Sequence, residues 1–310
     1  MRLNSISKKA VVTGGAGFIG SHITEEMVRR GWRVIIIDDL SSGKIENVQH
    51  LLKESQVDFV RGSISDLPLL QNLFAGADYI FHEAAIASVP ASIDNPPAAH
   101  EVNITGSLNV LLAARDNKVQ KVVCASSAAV YGNDPILPKE ESMLPDPQSP
   151  YAVTKLAMEY YCRVFLQVYH LPTVCLRYFN VFGPRQNPNS DYAAVIPKFV
   201  QKVKAGQPPL IFGDGEQSRD FIFVNDVAAA NLLAAESQAV GVFNIASGQR
   251  VNLNQLAQII IELSGNKNLH PVYGNERQGD IKHSLADIRR AGSFGFHPQY
   301  GLREGLKELI

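Results

Sequence analysis

The chain has 310 residues, 45% of them hydrophobic and 19% charged, a composition that excludes long disorder. At this length about 75% of the unfolded surface is buried on folding, so one large core needs no disulfide framework or structural metal. Lys and Arg (29) against Asp and Glu (30) leave a net charge of −1, which argues against nucleic acid or a membrane surface as a partner.

Cys124, Cys162 and Cys175 are too scattered for a disulfide set or a CxxC metal site, and they fit a reducing cytoplasm. His82-Glu83, His100 and His283 lack ligand-like spacing, so no metal is expected. No apolar run reaches the length of a membrane span. The N-terminus passes almost at once into a strand-and-glycine motif, leaving no room for a signal peptide. A cytoplasmic protein is expected.

Lys8 to Thr13 reads as a short apolar strand, followed by the turn Gly14-Gly15-Ala16-Gly17-Phe18-Ile19-Gly20. Ile19, Ile23 and Met27 recur at helical spacing, and Arg29, Arg30 and Gly31 suit the end of that helix. Val34 to Ile37 is apolar throughout, as expected of a parallel strand covered on both faces, and ends in Asp38-Asp39. Further strands are predicted at 57–60, 77–82, 121–125 and 171–176. Helices are predicted around Ile104, Leu108, Leu111 and Leu112, and from Tyr151, with Val153, Ala157, Tyr160, Val164 and Val168 on one side. Alternating strands and helices imply an α/β fold: a Rossmann-type, doubly wound parallel sheet. The pattern loosens after about Tyr178. Residues 182–192 read as loop, and a helix is predicted over 253–263. The expected division is a dinucleotide-binding domain over 1–177, with returns near 221–249, and a smaller, interleaved C-terminal substrate-binding lobe over 178–310.

Gly14, Gly17 and Gly20 lie between a strand and a helix, where a pyrophosphate must approach helix N–H groups without side chains holding it off. Asp38, at the end of the next strand, suits a ribose 2′-hydroxyl and would repel a 2′-phosphate, so NAD is favoured over NADP. Without a ligand, the same glycines would simply make a tight turn.

Tyr151 and Lys155 stand at i and i+4, on one face of a helix. An ammonium roughly 5–6 Å from the phenol, at an effective dielectric of about 20, favours the phenolate by about 3 kcal/mol. An oxidised nicotinamide would add to this and make Tyr151 a general base. Ser126-Ser127 ends the strand at 121–125, on the sheet edge where ligand sites of α/β folds lie. A hydroxyl there can bridge Tyr151 and a substrate hydroxyl, or cap a turn.

TGGAGFIG, VCASSAAVYG, SPYAVTK and RYFNVFGP together resemble the extended short-chain dehydrogenase/reductase family, in particular its NAD-dependent nucleotide-sugar 4-epimerases acting on UDP-glucose or UDP-N-acetylglucosamine. The resemblance runs from about Lys8 to Arg290. It implies Ser127, Tyr151 and Lys155 as the catalytic residues, with Lys155 also holding the nicotinamide ribose. Gly14, Gly17, Phe18, Ile19, Gly20 and Asp38 match the dinucleotide fingerprint. Asp39, Ser42, Ser63, Ile64, Ala84, Ala85, Asn103 and Tyr178 fall where the family lines its NAD pocket. Serine stands at 63 where the family usually has aspartate on the adenine amine, and it accepts the same hydrogen bond more weakly.

On the substrate side the resemblance implies Ser126, Ser127 and Tyr151 at the sugar, and Asn180, Arg219 and Arg277 at the diphosphate. It puts Val195 and Phe212, within AVIP and IFG, at the uracil, and Asp280 at the ribose or phosphate. Arg suits a forked contact with phosphate oxygens. Ser284 falls where the family places a residue beside the sugar C2 substituent. A tyrosine there leaves room for a hydroxyl, and a serine frees space for an acetamido group. UDP-GlcNAc and UDP-GalNAc are therefore expected substrates, together with UDP-Glc and UDP-Gal.

The implied reaction removes the 4-hydroxyl proton with Tyr151, passes hydride from C4 to NAD, and returns it to the other face. Two rivals are a sugar-nucleotide dehydratase and a decarboxylase. Both use acids just after the strand-end hydroxyl, where this chain has Ala128 and Ala129. A non-catalytic NAD-binding protein is a third, set against the presence of Ser127, Tyr151 and Lys155 together. Apolar surface on the helices near 99–115 and 151–169 resembles the family's four-helix dimer contact, so a homodimer is expected.

Overall fold

The computed structural model describes residues 7–188, 194–266, 268–276 and 282–310. In chain order the strands are β1 (Lys9–Thr13), β2 (Arg33–Asp38), β3 (Val57–Arg61), β4 (Tyr79–His82), β5 (Lys121–Ser127), β6 (Thr173–Tyr178), β7 (Asn180–Phe182), β8 (Leu210–Phe212), β9 (Ser218–Phe223), β10 (Gly241–Ile245), β11 (Arg250–Asn252) and β12 (Val272–Gly274). The helices are α1 (Phe18–Arg29), α2 (Leu67–Leu73), α3 (Val89–Asp94), α4 (Pro96–His100), α5 (Gly106–Asp116), α6 (Pro150–Tyr169), α7 (Val195–Lys204), α8 (Val224–Glu236), α9 (Leu253–Ser264) and α10 (Leu302–Lys307).

Seven strands form one parallel sheet in the order β10-β6-β5-β4-β1-β2-β3. The order reverses between β1 and β4, and such a switch point opens a crevice at the carboxyl ends of the strands. Strand alternation divides the core in two. Val12, Ile36, Phe81, Val123, Ala125 and Leu176 pack beneath α1 and α8, and Val11, Ile37, Ile80, Val122 and Cys124 beneath α2, α5 and α6. A third cluster, around Phe182, Phe199, Ile211, Phe223, Leu256 and Ile260, forms the core of the smaller lobe. The lobe carries the sheets β11-β9-β7 and β12-β8. The chain returns from this lobe to the large sheet at β10.

Two local features differ from the sequence reading. The helix predicted around Ile104 begins with a π turn at Glu101–Thr105, which brings Asn103 inward. On α6, Val153, Tyr160, Val164 and Val168 are 42–60% exposed, and the buried face carries Ala152, Lys155, Met158, Glu159, Cys162 and Phe165. The apolar stripe read from the sequence is thus the outer face of this helix. The inner face tolerates Lys155 and Glu159 because each has a buried partner.

Candidate active site

The glycine turn is set by close backbone approach. Gly14 has φ +68°, and a Cβ there would stand 2.6 Å from the Ala84 nitrogen, so the turn lies directly against the chain leaving β4. At Gly20 a Cβ would stand 2.3 Å from the Gly14 oxygen. Gly17 differs, because the Gly14 oxygen is the only atom near its missing Cβ and the space beyond is open. Gly17 is also the N-cap of α1, and no side chain caps that end. The first-turn N–H groups, from Phe18, Ile19 and Gly20, therefore face an open, positively polarised surface that fits a pyrophosphate.

Asp38 ends β2, and its carboxylate accepts from the Ala16 N–H (2.9 Å) and the Leu40 N–H (2.8 Å). Burial pushes its carboxyl up, against the pull of those two N–H donors. Each oxygen keeps a lone pair for a further hydroxyl. Asp39 is exposed and accepts from the Ser41 N–H and hydroxyl, with Ser42 exposed on the same loop. The Ser63 hydroxyl accepts from the Ser65 N–H at 3.2 Å. The Ile64 side chain belongs to the core beneath α5, so only its backbone can face the crevice.

Asn103 is buried. It accepts from the Ile86 N–H (2.8 Å) and donates to the Ile86 carbonyl (3.1 Å) and the Thr154 hydroxyl (3.0 Å). It ties the Ala84-Ala85-Ile86 loop to α6, the helix that carries Tyr151 and Lys155. His82 is held between Thr13 and Ser107, each 2.8 Å from one ring nitrogen. Burial drives its pKa down to about 4, so the ring is neutral at ordinary pH.

Helix α6 starts at the capping residue Ser149, followed by Pro150, and the Ser92 hydroxyl accepts from the Tyr151 N–H at 3.0 Å. The start of the helix is therefore fixed. Lys155 lies one turn further on, is 5% exposed, and donates to the Ala125 carbonyl at 2.7 Å. Its ammonium is 5.9 Å from the centre of the Tyr151 ring, the spacing expected from the sequence. The Ser127 hydroxyl accepts from the Ala129 N–H at 3.1 Å. The Tyr151 phenol makes no hydrogen bond to the described residues.

Ser126 requires a correction. Successive side chains of a strand point to opposite faces. Ser126 therefore points away from the crevice and donates to Glu159 at 2.5 Å, beneath α6. Glu159 also takes a forked contact from Arg177, at 2.8 and 2.7 Å, with both side chains only 4% exposed. Ser126 thus helps to fasten α6 to the sheet and is not a substrate contact. The cysteines, scattered in sequence, also meet on this face, with Cys162 and Cys124 sulfurs 3.6 Å apart, all three free and buried.

Two cavities adjoin at the Asn180 and Arg219 side chains. One, of about 270 Å³, is lined by Ser127, Ala128, Ala129, Tyr178, Asn180, Arg219 and Ser284. The other, of about 320 Å³, is lined by Asn180, Val195, Phe199, Phe212, Arg219 and Leu253. Asn180 and Arg219 line both, so a cationic side chain stands where the polar and apolar ends join. Ser284 is placed by its N–H, which donates to the Ser218 carbonyl at 3.0 Å. Tyr151 and Lys155 do not line either cavity. Arg277 and Asp280 lie outside the described residues, as does 189–193 of the loop after β7. The sequence reading passed over Lys139 in the first cavity and weighed His283 there only as a metal ligand. It also weighed Glu83 only as a metal ligand, although its place just beyond β4, at the carboxyl edge of the sheet, was a usable signal.

Among the described residues no group of three or more His, Cys, Asp or Glu is arranged to hold a metal, and no helix is long and apolar enough to cross a membrane. The family described as the NAD dependent epimerase/dehydratase family matches residues 10–246. A solved UDP-N-acetylglucosamine 4-epimerase from Methanobrevibacter ruminantium, in complex with UDP-N-acetylmuramic acid, is 45% identical, with a TM-score of 0.94 over 98% of this chain and 97% of that one. The UDP-glucose 4-epimerase of Thermotoga maritima, solved with UDP-glucose, is 38% identical, with a TM-score of 0.91 over 97% of each chain. A putative UDP-glucose 4-epimerase from Methanocaldococcus jannaschii is 37% identical over 302 residues, 97% of this chain and 96% of the relative. With its glycine turn, its Tyr-Lys helix and these relatives along nearly its whole length, the chain belongs to the NAD-dependent epimerase/dehydratase family.

Proposed function

We propose that the chain is a UDP-sugar 4-epimerase that interconverts UDP-GlcNAc with UDP-GalNAc, and UDP-Glc with UDP-Gal. The observation that carries this reading is the pair of cavities joined at Asn180 and Arg219. Arg219 neutralises the diphosphate, while Val195 and Phe212 give the uracil an apolar seat; Arg277, outside the described residues, is proposed from the resemblance as a second cation there. Ser127 and Ser284 face the sugar in the other cavity. Ala128 and Ala129 put methyl groups just after Ser127, where a dehydratase or decarboxylase would need an acid, and Asp134, the acid that also lines this cavity, is paired with Lys139 at 3.5 Å.

Held by Asp38 and the first-turn N–H groups of α1, bound NAD would supply the hydride acceptor and donor for C4 of the sugar. Tyr151 accepts the 4-hydroxyl proton, Ser127 holds that hydroxyl in line, and Lys155 holds positive charge beneath the developing phenolate. Fixed by its Ala125 contact, Lys155 supplies this charge with little reorganisation. Asp38 and the α1 N-terminus keep the coenzyme in place between cycles, and the grip on the diphosphate lets the sugar turn.

The test measures kcat/KM for UDP-Glc, UDP-Gal, UDP-GlcNAc and UDP-GalNAc with no added NAD. All four should turn over. Ser284→Tyr should lower kcat/KM for the N-acetylated pair by about tenfold or more, the scale of a filled pocket. An unchanged N-acetylated pair would overturn the size argument.

The exposed stripe of Val153, Val164 and Val168 supports a homodimer formed through α6. Sedimentation should give a dimer, and Val164→Asp should give a monomer. A monomeric parent at working concentration contradicts this. The small number and scattered spacing of the cysteines support a cytoplasmic setting.

A further inference from the structure

A carboxyl group stands just beyond β4, at the carboxyl edge of the sheet, and the proposed reaction makes no use of it. Glu83 follows β4, and alternation from Phe81 sends its side chain toward the face beneath α8. The Tyr178 phenol donates to its Oε1 at 2.9 Å. The Asn231 amide in turn donates to the Tyr178 oxygen at 2.8 Å and to the Val227 carbonyl at 2.9 Å. The Glu83 N–H donates to the Thr13 carbonyl at 3.1 Å, and a Cβ on Gly14 would stand 3.0 Å from the Glu83 carbonyl carbon.

These contacts place Glu83 between two fixed points. On one side is the glycine turn, which fits a pyrophosphate. On the other is Tyr178, the register neighbour of Ser127. A dinucleotide with its phosphates on α1 and its reactive ring near Ser127 and Tyr151 must cross the span that Glu83 occupies. The titratable groups that act on Glu83 are Lys155 from α6, Tyr178 from β6 and Cys124 from β5, and α8 contributes only the neutral Asn231. β1 and the glycine turn contribute backbone.

We propose that Glu83 is a positioning residue for the nicotinamide, whose charge sets how readily the bound coenzyme is reduced. As a carboxylate it stabilises the cationic, oxidised ring. When a hydride with its two electrons neutralises that ring, the carboxylate loses its partner and takes up one proton from solvent. Burial supports the exchange, because it pushes the Glu83 carboxyl up to about 7 against the pull of Tyr178 and Lys155. The inference rests on NAD as the coenzyme, and is independent of which sugar is epimerised.

The test is a redox titration of the holoenzyme with a mediator dye and no sugar nucleotide, at pH values on both sides of neutrality. The reduced fraction is read from the near-ultraviolet absorbance of the bound coenzyme. Because no sugar is present, an error in the substrate reading leaves the titration unaffected. Glu83→Gln keeps the size and the acceptor for Tyr178 but removes the charge. At the alkaline end its ratio of reduced to oxidised coenzyme should exceed the parent's by about tenfold or more, the scale of one charge a few ångströms away at an effective dielectric of about 20. The two curves should converge as the pH falls. Tyr178→Phe, which keeps the charge and loses the hydrogen bond, should retain the parent's pH dependence. Superposed parent and Glu83→Gln curves, or a Tyr178→Phe shift as large as that of Glu83→Gln, would overturn the proposal. Should Glu83→Gln fail to fold, the parent decides alone: a pH dependence no steeper than that of the free coenzyme couple also overturns it.

Discussion

At the dinucleotide end of the crevice the surface offered to a ligand is backbone: the first-turn N–H groups of α1, held by a turn packed against Ala84 with no room for a side chain. At the proposed sugar end it is made of side chains, with Ser127, Asn180, Arg219 and Ser284 arriving from separate segments around joined cavities. The first construction is rigid and local in sequence. The second can change one residue at a time without disturbing the sheet. A chain built this way can keep one coenzyme while its sugar preference is adjusted by single substitutions.

The comparison breaks most visibly at Gly14. Gly14→Val would put a β-branched side chain at φ +68°, with its Cβ against the Ala84 backbone. A left-handed conformation costs about 1–2 kcal/mol and overpacking about 1–3 kcal/mol more, so a loss of about 2–5 kcal/mol is expected. Denaturant unfolding should show this loss, and bound coenzyme should disappear with it. Arg219→Ala sharpens the contrast from the other end. It should leave the unfolding midpoint and bound coenzyme near the parent's and raise KM for a UDP-sugar by about 10–100-fold, the worth of hydrogen bonds from a charged group. A substitution at Arg219 that stripped the coenzyme would show that the two ends are not separable.

The same contrast explains what is legible in the sequence alone. The strands of the large sheet and the glycine turn are legible because short-range sequence dictates them: apolar runs such as Val34 to Ile37, glycines between strand and helix, and an acid at the next strand end. The Tyr151–Lys155 spacing follows from helix geometry alone. What was not legible depends on which way a side chain faces. Ser126 and Ser127 are chemically identical, and only the phase of β5 sends one beneath α6 and the other to the crevice. The stripe on α6 has helical periodicity whichever face is buried, and the identity of the inner face depends on Glu159 meeting Arg177 from β6. Glu83 gained its interest only when folding brought Tyr178 to it from 95 residues away. The side chains at the sugar end were found through resemblance, since no local pattern joins Ser127 to Ser284.

The account depends above all on the Tyr151 oxygen as the proton acceptor, placed by Ser149, Ser92 and the Lys155 ammonium. The most direct measurement is single-turnover epimerisation by Tyr151→Phe, with coenzyme content checked by absorbance. The account predicts a normally folded holoenzyme whose rate falls by about 10²–10⁴, the usual contribution of general acid–base catalysis. A Tyr151→Phe enzyme that keeps its coenzyme and converts the sugar as fast as the parent would contradict it.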